Sequence, residues 1–500
     1  MTASEDRWWT LGAVCVATFM LLLDITIVNV ALPSIADSLH SSFTDLQWVI
    51  DAYALSLAAL LLTWGSTSDR VGRRAIFVLG LGLFTVASLC CGLAWSPLVL
   101  NLARAAQGIG GAAMFATSLA LLAATFQGAE RGTAFGVWGA TTGAAVAVGP
   151  LVGGILTDAI GWESIFFINV PIGIGAIWIS LRRVGESRDP DAGPIDWLGL
   201  VTFSGALFLL VFALVRGNAE GWGSPLIVSC LTGAVVLLVA FVAIEALGSS
   251  PMLDLALFRK PAFGGASIAA FALSASMFSM FLYLTLYIQN SLGYTPLQAG
   301  LRFLPVSLLS FCVAPVAGKL SARVPVRALI GSGLLLVGVG LLLMRGLNAG
   351  SGWTELLAGF TVAGVGIGLT NPPLASTAVG VVPPARSGMG SGINSTFRQV
   401  GIATGTAGLG ALLQGLLTNR ASGPLARVPG EVLATGRAPA GGPAREAYLS
   451  LFTGALNDLF LVAAIIAFAG AALSFALIRS RDFQGAAAQP QAEPAGAGAG

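Results

Sequence analysis

Long apolar runs alternate with short polar gaps along the whole chain. A helix needs roughly 20 mainly apolar residues to cross a hydrocarbon layer ~30 Å thick. Runs of that length fall at 11–32, 46–66, 76–95, 98–122, 134–157, 164–182, 197–215, 225–247, 263–290, 298–319, 327–347, 354–379, 391–416 and 450–479. Each predicts a membrane-spanning helix, fourteen in all. Inside lipid the backbone must satisfy its own hydrogen bonds, and a helix does so within a single segment. The fold class is therefore an all-α integral membrane protein. The first run is too long for a cleaved leader, and it carries an acid, Asp24.

Composition agrees and narrows the function. Hydrophobic residues make up 56% and charged residues 10%. Soluble domains carry about 25% charged residues. The exterior must therefore face the lipid bilayer, and mean hydropathy is +0.85. A net charge of +2 offers no basic face, so no nucleic-acid partner is expected. The five cysteines lie in apolar runs without metal-ligand spacing, and the single histidine, His40, sits in a loop. No metal site and no cofactor are expected. The chain shows no P-loop, so no ATP is expected, and an ion gradient must drive any uphill work. Only two of the 25 basic residues are lysine, while Ala and Gly abound. That composition fits a GC-rich bacterium, and its cytoplasmic membrane as the location.

Basic residues set the orientation, because short cytoplasmic loops hold most Lys and Arg. Sixteen basic residues fall on the side of the N-terminus and six on the other. Four of those six share one long loop, 417–449. Both termini are therefore expected in the cytoplasm. Three arginines remain inside spans: Arg104, Arg302 and Arg398. The longest linkers on the cytoplasmic side bracket spans seven and eight. The domains follow: 1–183, six helices; 184–262, a linker with two extra helices; 263–480, six helices with the outer loop 417–449. The loop is rich in Gly, Pro and Ala, and residues 481–500 are low-complexity; both are expected to lack fixed structure.

Ionisable residues inside the membrane carry the most information. A charge at the bilayer centre costs at least ~2.5–3.5 kcal/mol, so one that is retained points to function. At 1.5 Å per residue, Asp24, Asp51 and Arg104 lie roughly 12, 8 and 9 Å from the outer ends of spans one, two and four. Three charges from three helices thus share one layer. Desolvation raises a carboxylate's pKa and a nearby arginine lowers it. An acid held between the two can load and release a proton. The alternative is a static ion pair that stabilises the bundle, or, for Asp51, a place at the interface. In span nine Met277, Met280, Tyr283 and Tyr287 recur on one face. Such side chains suit a cavity for varied apolar ligands, and equally suit helix packing.

Six motifs resemble one family. Residues 65–74 carry Gly65, Asp69, Arg70, Gly72, Arg73 and Arg74, similar to the loop 2–3 motif of the major facilitator superfamily. Arg104, Gln107 and Gly108 resemble that superfamily's Arg-x-x-Gln-Gly motif in span four. Gly143, Gly149, Pro150, Gly153 and Gly154 resemble the span-five motif of its antiporters. Span one, Leu23 to Pro33 with Asp24 and Asn29, resembles the fourteen-span drug:proton antiporters, as do Ile165–Gly173 and Phe397–Gly401. The likeness runs from about residue 11 to 416. It departs at Ser68, where Ala is usual, and at Glu163 and Ser164, which replace a basic-aromatic pair. The C-terminal copy of the loop motif is reduced to Gly318–Arg323.

The resemblance implies a major facilitator fold: two six-helix bundles around a central cavity, with two helices inserted between them. It implies proton-coupled antiport, exporting a small hydrophobic compound by alternating access in a monomer. Asp24 and Arg104, with Asp51, would couple protons. Asn29, Gln107, Arg398 and the span-nine stripe would border the substrate. The charges of residues 65–74 would latch one conformation. The span-five Gly-Pro motif would be a hinge. With the acids confined to the N-terminal half, neutral, weakly acidic or monocationic substrates are expected.

Overall fold

Each apolar run folds as a helix, because no other local structure satisfies its backbone in lipid. The computed structural model describes residues 3–41, 43–189, 194–248, 251–428, 430–436 and 442–479. The tail expected to lack structure, 481–500, lies outside the described residues. Among the described residues there are fourteen helices of 18 residues or more, and thirteen of them, all but Gly128–Ala159, are also apolar enough by composition to cross a membrane. The fourteen are α1 (Ala3–Leu39), α2 (Phe43–Val71), α3 (Arg73–Gly92), α4 (Pro97–Thr125), α5 (Gly128–Ala159), α6 (Ser164–Arg183), α7 (Trp197–Glu220), α8 (Pro225–Leu247), α9 (Pro261–Ser291), α10 (Pro296–Leu320), α11 (Val326–Leu343), α12 (Leu357–Gly380), α13 (Ser387–Arg420) and α14 (Gly442–Leu477).

Local chemistry sets several ends. Ser96, Ser224 and Thr295 cap α4, α8 and α10, each followed by a proline at the first helical position, where no N–H is needed. Helix α6 breaks for one residue at Ile168. Helix α9 contains two wide turns, Ser274–Phe278 and Tyr287–Ser291.

Helices α1–α6 pack as one bundle and α9–α14 as another. Helices α7 and α8 pair outside both. Helix α7 leans on α2 and α13, where Thr63 and Ser204 hydroxyls meet at 2.8 Å. The bundles join along two seams, α2 with α13 and α5 with α10. Both seams are glycine-lined at the arginine-rich end. A Cβ on Gly65 would strike the Gly388 carbonyl, and one on Gly132 the Gly318 carbonyl. Gly318, the glycine of the reduced C-terminal motif, touches the opposite bundle with its backbone.

One expectation is corrected. Described parts of loop 417–449 are folded. Helix α13 runs on to Arg420, and a short helix covers Gly430–Ala434. Buried Leu425 and Leu433 anchor the loop, Tyr448 donates to the Leu433 carbonyl at 2.8 Å, and Ser291 donates to Gly436 at 2.9 Å. A Gly/Pro-rich loop gains fixed structure when side chains of neighbouring helices satisfy its carbonyls.

Candidate functional site

Four helices of the N-terminal bundle build a buried polar cluster. Helix α1 supplies Asp24, α4 supplies Arg104 and Gln107, α6 supplies Asn169, and α3 supplies Ser88. The Arg104 guanidinium donates to Asp24 Oδ2 at 2.5 Å and to Gln107 Oε1 at 2.7 Å. Its Nε donates to the Val49 carbonyl at 2.9 Å. Gln107 and Asn169 amides donate to Asp24 Oδ1 at 2.9 and 3.2 Å. Ser88 accepts from both amides and donates to the Phe166 carbonyl at 3.0 Å. The Tyr53 ring lies 4.2 Å from the guanidinium, a cation–π contact. Asp24 is 1% exposed and Arg104 2%.

Such a cluster is chemically poised. A buried carboxylate is tolerable only while paired and hydrogen-bonded. Here the pair is neutral as a whole, and both carboxylate oxygens are engaged. Adding a proton to Asp24 would weaken every bond that converges on it. Asn169 and Ser88 are the participants that motif reading passed over. Asn169 was visible as an amide inside an apolar run, Ile165–Gly173; Ser88, a hydroxyl in an ordinary apolar helix, gave no signal.

The structure separates Asp51 from this cluster. Val49 and Tyr53 are four residues apart and face Arg104. Asp51 lies between them in sequence and so points to the other side of α2. It lies half-buried, within electrostatic reach of Arg216 on α7. Shared depth did not mean a shared face.

Residues of the 65–74 motif meet α13 across the α2–α13 seam. Asp69 Oδ1 accepts from Arg73 Nη2 and from the Gly388 N–H, both at 2.8 Å. Its Oδ2 accepts from the Met389 N–H at 2.8 Å. A carboxylate thus caps the N-terminus of α13, where orphan N–H groups and the helix dipole favour negative charge. Arg73 also donates to the Pro384 and Ala385 carbonyls at 2.9 and 2.7 Å. Arg70 reaches the Pro251 carbonyl at 3.2 Å, and Arg74 pairs with Glu186 at 3.7 Å. Gly72 has φ 133°, and a Cβ there would meet the Glu186 carboxylate. The departure at Ser68 is absorbed: its hydroxyl donates to the Gly65 carbonyl at 2.7 Å.

In span five, a Cβ at Gly149 would collide with Thr26, and one at Gly153 would lie 2.9 Å from Ile27. Helix α5 therefore rides on α1 within one turn of Asp24. Gly143 faces Ser310 on α10, and Gly154 faces open space. The side chains of Pro150 and Asn29 lie outside the described residues.

The span-nine stripe is not at an open surface. Met277, Met280, Tyr283 and Tyr287 are all under 5% exposed, inside the C-terminal bundle. Tyr283 donates to the Thr406 carbonyl at 2.5 Å and Tyr287 to the Ser351 carbonyl at 2.9 Å. The face they share turns toward α13 and the α11–α12 loop. Phe278 and Phe281 line the space between the bundles instead. That space is a cavity of about 20 Å³, bordered also by Thr142, Ser310 and Asn371, large enough for about one water. Arg398, on α13, donates to Asn371 Oδ1 at 2.9 Å. Arg302 lies at the far end of α10, over the Tyr294 ring at 3.4 Å. A second cavity, about 1040 Å³, opens at the arginine-rich end.

Comparison with known proteins covers most of the chain. Residues 14–406 match the family model described as Major Facilitator Superfamily. The multidrug resistance protein Stp of Mycobacterium tuberculosis is 38% identical over 82% of this chain and 76% of its own. The tetracenomycin C resistance and export protein of Streptomyces glaucescens is 34% identical over 81% and 76%. The human organic anion transporter MFSD10 (TETRAN) superposes with a TM-score of 0.62 at 16% identity, covering 92% of this chain and 99% of that one. At that identity the likeness concerns the fold alone.

Proposed function

The chain belongs to the Major Facilitator Superfamily, a family of membrane transporters and not of enzymes, and from that premise we propose that it exports small hydrophobic organic compounds in exchange for protons. The curated relatives named above are resistance and export proteins, which supports outward transport. One observation carries the proton part. Asp24 is buried with Arg104 and held by Gln107 and Asn169, on helices that move together if the bundles rock.

Unprotonated Asp24 holds α1, α4 and α6 together through Arg104, Gln107 and Asn169. Protonation removes the charge that fixes them. Helix α1 then shifts against Gly149 and Gly153 of α5, and α5 transmits the shift to α10 at the second seam. The Asp69 cap on α13 opens and closes the arginine-rich end as the bundles rock. With both termini in the cytoplasm, as the sixteen-to-six division of basic residues supports, that end is the cytoplasmic gate.

The test uses everted membrane vesicles. An imposed pH gradient should drive dye into vesicles that carry the protein. A protonophore should abolish the movement, and ATP depletion with the gradient clamped should not. Transport that follows ATP and ignores the gradient would overturn the reading.

A further inference from the structure

Helix α13 carries a line of polar side chains for which the coupling cluster has no use. Ser387, Ser391, Asn394 and Arg398 recur at intervals of four, three and four, which places them on one helix face. All four are buried, with exposures of 2%, 0%, 2% and 7%. Both hydroxyls, both amide atoms of Asn394 and the Nε of Arg398 have no hydrogen-bond partner. Buried polar groups are nearly always bonded, so four residues on one face that each leave a polar atom unmet need an explanation. The line starts at the large cavity, which Ser387 lines beside Arg73, Arg131, Arg188, Arg323 and Arg327, with no acidic side chain. It ends about 16 Å along the helix at Arg398.

Arg398 is the decisive residue. None of the ion pairs among the described residues includes it. Its contact is a neutral amide, Asn371, which borders the small cavity between the bundles. Arginines at the loop end are accounted for by membrane topology. A mid-helix guanidinium with no carboxylate is not. In a low-dielectric interior such a cation attracts an anion strongly, and its planar fork fits a carboxylate.

We propose that this face of α13 is the path of an organic anion, and that Arg398 with Asn371 is its recognition point. The ligand class is a hydrophobic compound bearing a carboxylate, an acidic phenol, or both. Ser387, Ser391 and Asn394 hydrogen-bond it on the way in, Arg398 binds the anionic group, and Phe278 and Phe281 hold the apolar body. The proposal rests on the export reading for its direction of travel but not for its binding chemistry.

The purified full-length protein in detergent tests it, by fluorescence polarisation with fluorescein and rhodamine 123. These share a xanthene scaffold and differ in charge. The wild type should bind the anionic dye at least about tenfold more tightly. R398Q should lose about tenfold or more for fluorescein and stay within about twofold for rhodamine 123. R398K should fall between the two. N371D, which supplies an internal carboxylate, should abolish the anion preference. Equal affinities in the wild type would overturn the proposal whatever the variants do, as would R398Q and R398K weakening both dyes alike. Binding of fluorescein with no gradient-driven movement in proteoliposomes would overturn export and leave the anion site standing. Gradient-driven movement of rhodamine 123 with no preference for fluorescein would do the reverse.

Discussion

Two arginines lie buried in mid-helix, one in each bundle, and their surroundings differ. Arg104 bonds to a carboxylate, an amide and a backbone carbonyl. Arg398 bonds to one neutral amide and leaves its Nε unmet. The Arg104 charge is met by a carboxylate within the protein, although the Asn169 Oδ1 and the Tyr53 hydroxyl beside it are unmet. The Arg398 charge lacks such a partner. A residue type and its depth do not define a role; the groups that meet it do. In the reading proposed above, a paired carboxylate answers to a proton, because a proton removes the charge that the pair depends on. An unsatisfied cation responds to a ligand, because a ligand completes it.

Removing Arg104 should have the largest effect. It strands Asp24 without its counter-charge, and breaking a buried pair costs about 3–5 kcal/mol. R104A should therefore lower the melting temperature sharply, and D24N/R104A should restore folding without restoring transport. If R104A melts like the wild type, Arg104 is as dispensable to the fold as an unpaired residue, and the contrast with Arg398 fails. D24N alone keeps the shape of the side chain and removes the proton site. Gradient-driven export should fall to background while the protein remains folded; near-normal export would end the role given to Asp24.

The seam allows a sharper test. Valine at Gly388 has no room beside Gly65, Ser68 and Asp69. Overpacking of this kind costs about 1–3 kcal/mol, and here it acts against the closed gate. A cysteine at Ser391 should be shielded from a water-soluble maleimide in the parent and labelled in the G388V background. Equal labelling would mean that the α13 face does not open with the seam.

Smaller effects grade the two sites. N169A removes one charge-assisted bond to Asp24, and export should drop about tenfold, measured as initial rate in everted vesicles. D51N should change export by no more than about twofold, as for a residue outside the network. A D51N loss as deep as that of D24N would place Asp51 back in the coupling machinery.

The amino-acid pattern by itself determined the number of helices, their order, the inserted pair and the residues that carry charge into lipid. It could, because a segment in hydrocarbon has one way to satisfy its backbone, and each span needs its own run of apolar residues. It also placed Asp24 and Arg104 at one depth, since rise per residue is fixed. It could not tell that Asp51 turns away, that Asn169 and Ser88 complete the cluster, or that Met277, Met280, Tyr283 and Tyr287 face the bundle core. Those facts depend on which faces of neighbouring helices meet. That was decided by glycine contacts at the seams, by the break at Ile168 and by the wide turns in α9, none of which leaves a periodic trace in the chain. Arg398 is the clearest case: its position was evident from the sequence, but the absence of a carboxylate beside it exists only in the folded arrangement of α10, α12 and α13.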